Sequence, residues 1–121
     1  MGTASPTPSE PPAPSAPEVK KDTFVSFSAE INVNTTESLL ATMANIANQN
    51  VSRVHLLMST AGGNVTNGIN LYNVLRALPF ELITHNVGNV DSIGNAVFLA
   101  GTKRYACPHS TFIHLKLVLQ T

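Results

Sequence analysis

The chain has 121 residues, enough for one domain with a modest core. Seven basic side chains balance seven acidic ones and only 12% of residues are charged, which leaves no basic patch for nucleic acid or for an anionic membrane surface. A single cysteine, Cys107, excludes an internal disulfide, and no apolar run approaches the roughly 18 residues of a spanning helix.

Residues 1–17 hold six of the eight prolines and no aromatic side chain. Such a segment cannot bury enough apolar surface to offset the entropy of ordering it, so residues 1–20 are expected to be a disordered tail. Lacking a basic anchor among its prolines, it is read as a solvated tail rather than a polyproline ligand. The N-terminus carries no apolar signal core, and a soluble, cytoplasmic protein is expected.

From Thr23 the texture changes. Thr23 to Ser28 alternates and is rich in strand formers. Asn34, with Glu37 three residues on, offers an N-cap to a helix from about Thr35 to Asn48, in which Leu39, Leu40, Met43, Ile46 and Ala47 share one face. Arg53 to Ser59 is a short, nearly continuous apolar run, the pattern of a strand covered on both faces of a parallel sheet. His55 inside it reads as a satisfied core or edge histidine, since no second ligand-type residue stands at metal spacing; no metal or cofactor is expected.

Thr60-Ala61-Gly62-Gly63 follows, where two glycines permit positive φ and leave backbone N–H groups uncovered. Next comes a helix from about Val65 to Ala77, with Val65, Ile69, Tyr72 and Leu75 at helical spacing and Pro79 as its stop. A strand over Glu81 to Val87 leads into Gly88-Asn89-Val90-Asp91-Ser92-Ile93-Gly94 and a small-residue run to Gly101. The alternation predicts right-handed βαβ units, whose functional loops lie at the carboxyl ends of the strands. Thr102 to Arg104 reads as a loop, and Ser110 to Leu115 as a short strand that ends near His114.

A serine held on a tight strand-to-helix turn, with glycines at Gly88 and Gly94, suits a nucleophile. Ser92 serves equally well as a plain helix N-cap, His114 as a structural histidine, and Gly62-Gly63 as an ordinary turn. Taken together they supply three parts of an acyl-transfer site: nucleophile Ser92, base His114, and an oxyanion hole from the N–H groups of Gly63 and Ile93.

In this order the residues resemble the Clp protease proteolytic subunit family, within the crotonase-like superfamily. Its pattern Ser-Pro-Gly-Gly-x-Val-x-x-Gly-x-x-x-Tyr, Gly-x-x-x-Ser-Met-Gly and Pro-x-Ser-x-x-x-x-His is matched by Thr60 to Tyr72, Gly88 to Gly94 and Pro108 to His114. The resemblance implies an α/β fold of repeated ββα and βαβ units with a mostly parallel sheet, incomplete at the C-terminus, over residues 21–121. It also implies an ATP-dependent serine endopeptidase acting on unfolded polypeptide or peptide through an acyl-enzyme on Ser92, in a homo-oligomeric ring with an AAA+ ATPase. Thr60-Ala61 replaces Ser-Pro, Asp91 precedes the serine, the loop at Thr102 is shorter than usual, and the family's orienting aspartate lies beyond the histidine. Residues 115–121 do not resemble the family there, as a truncated or frameshifted end would not. Two other readings stand beside the peptidase: a non-catalytic assembly subunit or inactive fragment, and another crotonase-like acyl-transfer enzyme.

Overall fold

The computed structural model describes residues 21–113; the expected tail, residues 1–20, and residues 114–121 with His114 lie outside the described residues. The order is β1 (Asp22–Ser28), α1 (Val33–Ala47), β2 (Arg53–Thr60), α2 (Val65–Ala77), β3 (Glu81–Asp91), α3 (Gly94–Phe98), β4 (Lys103–Ala106) and β5 (Thr111–Ile113). The strands form one sheet in the order β1-β2-β3-β4, with β5 paired to β3. Every pairing is parallel. β4 takes the Ile83 to Asn86 half of β3 and β5 takes the Asn89 to Asp91 half, so two short strands share one long neighbour.

The crossovers through α1 and α2 step in one direction along the sheet, and connections of one hand then lay both helices on the same face. The core follows from that. Val54, Leu56 and Met58 of β2 are fully buried and pack with Leu39, Met43 and Ile46 of α1, Leu71 and Leu75 of α2, and Ile93, Val97 and Phe98 around α3. β2 therefore alternates between buried and half-buried residues instead of being covered on both faces. The apolar run misleads because Leu57 and His55 lie on the open side, both half-buried, with the rings of Phe24 and His85 flanking His55.

The helices differ in detail from the sequence reading. α1 is capped by Asn32, not Asn34: Asn32 Oδ1 accepts from the Thr35 amide at 2.9 Å and Thr35 Oγ1 accepts from the Asn32 amide at 3.0 Å. This reciprocal box uses threonine where glutamate is usual, so Glu37 is not needed. α2 keeps its expected bounds, and Asn64 caps it. It turns Gly68, Leu71 and Leu75 to the core and leaves Val65 and Ile69 about half exposed. Gly68 sets that orientation, because a Cβ there would collide with the Ile93 side chain. Lys103 and Arg104 belong to β4 rather than to a loop.

On the open face a row of rings crosses four strands. Phe24 stacks on His55 with centroids 4.5 Å apart, His55 faces His85 at 5.2 Å, and His85 stacks on Tyr105 at 5.3 Å. His55 Nδ1 and His85 Nε2 lie 2.9 Å apart, so one ring must donate to the other. Beside them Arg53 donates to both oxygens of Asp22, at 2.6 and 3.0 Å, and the Asp22 carboxylate lies 3.7 Å from His55 Nε2.

Burial among these rings, together with the neighbouring charge of His55, pushes the His85 imidazole below its ordinary value of 6.5. The unfolded chain then binds more protons than the folded one as pH falls past that value, so folding weakens there. The Arg53 hydrogen bond holds the Asp22 carboxyl below its ordinary 3.8, a contribution lost only in stronger acid. Urea denaturation at pH 7.5 and pH 5.5 is expected to give a lower stability at pH 5.5, and His85→Phe should flatten the difference. Equal slopes for both chains would contradict the assignment.

Candidate active site

The site lies where the carboxyl ends of β2 and β3 meet. Met58 pairs with Asn86 but Thr60 pairs with Val90, so β3 carries two more residues than β2 over this interval. The extra residues bend β3 at Val87 and Gly88, where a Cβ on Gly88 would press on Ser59 Oγ at 2.6 Å. The strand expected to stop at Val87 thus continues to Asp91. It delivers Ser92 directly from a strand end.

Ser92 has φ +54°, the only positive value among the described non-glycine residues. That conformation costs a non-glycine residue of order 1 kcal/mol and needs fixed surroundings to persist. Ser92 is not the helix N-cap, since α3 begins at Gly94 with Ile93 in the cap position. The plain capping reading of Ser92 therefore falls.

The second glycine turn closes on the first. Gly62 and Gly63 have φ of +96° and +145°. A Cβ on Gly62 would stand 2.7 Å from Ser92 Cβ and 3.3 Å from Ser92 Oγ, so the turn packs directly against the serine side chain. Gly63 forms a parallel bridge with Ile31, in which the Ile31 amide donates to Gly62 O and the Asn64 amide to Ile31 O, both at 2.8 Å. In such a bridge the middle residue's own N–H points away from its partner strand. The Gly63 N–H is therefore directed off Ile31, and the Ile93 N–H lies at the N-cap of α3, ahead of the helix's own hydrogen bonds.

β5 completes the arrangement. The Ser92 amide donates to Ile113 O at 3.1 Å. His114, the expected base, lies outside the described residues. Asp91 Oδ1 is buried with no hydrogen-bond partner among the described residues. Asp22 is paired with Arg53 at the far end of β1, and Asp91 Oδ2 accepts from Asn89 Nδ2 at 2.9 Å. Asn89 also accepts from Ser59 Oγ at 2.7 Å, which ties β2 to β3 below the turn. An open groove of about 340 Å³ between β1 and α1, lined by Val25, Phe27, Ser38 and Leu39 among others, includes none of Ser92, Gly63 and Ile93. Among the described residues no group of three or more His, Cys, Asp or Glu side chains could hold a metal ion.

Sequence reasoning missed the asparagines. Asn86 is fully buried on β3 and donates through Nδ2 to Thr111 O at 2.8 Å, and Asn95 donates through Nδ2 to Ile113 O at 2.7 Å. A polar residue inside an expected strand core was the available signal for Asn86, since buried carboxamides need partners.

Parallel crossover units with two glycine-bearing turns and a strained serine at the carboxyl edge define an α/β scaffold with a built turn site. The chain belongs to the Clp protease family, whose profile matches residues 15–117. It is 34% identical over 85 residues to the ATP-dependent Clp protease proteolytic subunit 3 of Synechococcus sp. (strain CC9605), an alignment that covers 68% of this chain and 42% of the relative. It is 29% identical over 93 residues to the corresponding subunit 2 of Chlamydia trachomatis, covering 74% and 46%. The chain spans less than half the length of these curated relatives. Its fold is that of ClpP1 from Listeria monocytogenes, with a TM-score of 0.72 at 20% identity over 77% of this chain and 56% of that one. The ClpP protease catalytic domain from Plasmodium falciparum gives 0.71 at 20% identity, covering 79% and 55%.

The two glycines are the most exposed part of this geometry to test. Gly63→Ala combines a forbidden φ with a Cβ driven into the Ile31 backbone, and it should cost more than about 2 kcal/mol in chemical denaturation. A change below about 0.5 kcal/mol would contradict the turn as described.

Proposed function

We propose that this chain is the nucleophile-bearing part of a Clp-type serine endopeptidase, with residues 21–121 as its peptidase region. The observation that carries the reading is the strained Ser92, with Gly62 packed on its side chain and Ile113 bonded to its amide. In this reading Ser92 Oγ attacks the carbonyl carbon of a peptide while His114 takes the hydroxyl proton. The Gly63 and Ile93 N–H groups receive the oxyanion, and His114 returns the proton to the leaving amine. Water then attacks the acyl-enzyme, and the carboxylic acid leaves with Ser92 restored. Substrates are unfolded polypeptides or peptides, and the partners are further copies in a ring and an AAA+ ATPase, whose nucleotide hydrolysis makes proteolysis ATP-dependent, in the cytoplasm. The half-exposed Val65, Ile69 and Leu99 and the exposed Phe112 and Ile113 support association, since monomers rarely leave so many large apolar groups uncovered. No described helix is long and apolar enough to cross a membrane.

A second reading, a non-catalytic assembly subunit, is favoured by one specific observation: Asp22 is paired with Arg53 at the start of β1, and Asp91, whose Oδ2 accepts from Asn89, adjoins Ser92 in the chain. Absence of the orienting acid costs a factor on the order of 10⁴ in serine proteases. Hydrolysis of a small peptide ester by the 121-residue chain should therefore fall about that far below the ordinary 1 to 10³ per second. Labelling by a fluorophosphonate should disappear in Ser92→Ala. Label retained in that variant would refute the nucleophile, and no label on the parent chain would favour the assembly subunit.

A further inference from the structure

Two side chains hold β5 against the serine turn, and the sheet alone does too little of this. β5 has three residues, a length at which ladder pairing fixes register weakly. Its carbonyls at Thr111 and Ile113, two residues apart, are both taken by asparagines from other elements. Asn86 is used at both ends: Nδ2 donates to Thr111 O at 2.8 Å and Oδ1 accepts from the Gly88 amide at 3.1 Å, so its carboxamide cannot flip without losing both bonds. Asn95 Nδ2 donates to Ile113 O at 2.7 Å and to Ser92 O at 3.0 Å. One amide group thus bridges the nucleophile's own residue and the last described residue before His114.

We propose that Asn95 is a positioning residue for the nucleophile: its carboxamide locks Ile113 of β5 to Ser92, so that the serine turn is held rigid from both sides. The proposal rests on the assignment of Ser92 made above. Two features favour this role over plain packing. Asn95 is half-buried on a helix of five residues, where its side chain fills no core space, and both of its bonds go to backbone carbonyls of the two residues that matter. A donor is required there: aspartate, of the same shape, would turn a charged oxygen toward two carbonyl oxygens. A displacement of about 1 Å between reacting groups costs on the order of 10²-fold in rate, so a loosened β5 should be felt in chemistry before it is felt in folding.

The test uses the full chain, a peptidyl fluorophosphonate, and the variants Asn95→Ala, Asn95→Asp and Ile46→Val, the last a distant core change that serves as the stability control. The second-order labelling is split into kinact and KI, with melting temperatures recorded for each chain. Asn95→Ala and Asn95→Asp should lower kinact at least tenfold with KI unchanged within twofold, whereas Ile46→Val should keep kinact despite a comparable loss of melting temperature. Equal kinact in the parent and Asn95→Ala would overturn the positioning role while leaving the assignment of Ser92 intact. A fall in kinact that Ile46→Val shares would overturn it as well, by reducing it to general stability. A parent chain that takes no label overturns the assignment of Ser92 and this proposal together.

Discussion

The pairing of β2 with β3, and the two extra residues that β3 inserts opposite Ser59, decide where everything else in the site can be. Without that insertion β3 would run level with β2 and its end would pass the Thr60 turn instead of folding back onto it. With it, Gly62 comes against the Ser92 side chain, and the backbone at Ser92 is forced into positive φ. The strain is sustained because the surroundings overdetermine it: the Gly62 backbone on one side, the Ile113 carbonyl on the other, and the buried Ile93 and Val90 beneath. A serine so placed is rigid before any ligand arrives, which is the condition for a preorganised turn to be of chemical use.

The one-sided layering has its own consequence. Both crossover helices lie on one face, and the other face carries a row of rings that stack on one another. Putting two imidazoles in the middle of that row makes its charge depend on protons. The ionic groups along the same face, Asp22 with Arg53 and Glu81 with Lys103, are paired across strands and leave little net field. Exposed pairs of this kind contribute little to stability, and the fold depends on the buried stripe of Val54, Leu56 and Met58 instead.

How much of this could be read in the residues depended on whether a local pattern or a long-range pairing decided the outcome. The alternation of strand and helix, the bounds of α2 and the meeting of the two glycine turns follow from local patterns and a single handedness rule. The cap of α1 falls to Asn32 over Asn34, either of which could serve by residue type, because Thr35 answers Asn32 in the reciprocal box and also donates to Glu30 O. The face of α2 was misjudged because a glycine, which carries no hydrophobic signal, turned out to be the point of closest approach. β3 was cut short at Gly88 because a bulge and a turn look alike in sequence. Asn86 and Asn95 are not legible as a pair, since what joins them is β5, a strand of three residues to which both add side-chain bonds beside its ladder with β3.

The central claim is that the Gly62-Gly63 turn and the Ser92 turn together make one acyl-transfer site. The most direct measurement is a crystal structure of the chain after reaction with a peptide boronate, which forms a tetrahedral adduct. The account predicts boron bonded to Ser92 Oγ, with one boronate oxygen about 2.7–3.1 Å from both the Gly63 and Ile93 amide nitrogens. An adduct on another residue, or a boronate oxygen turned to solvent away from both amides, would contradict it.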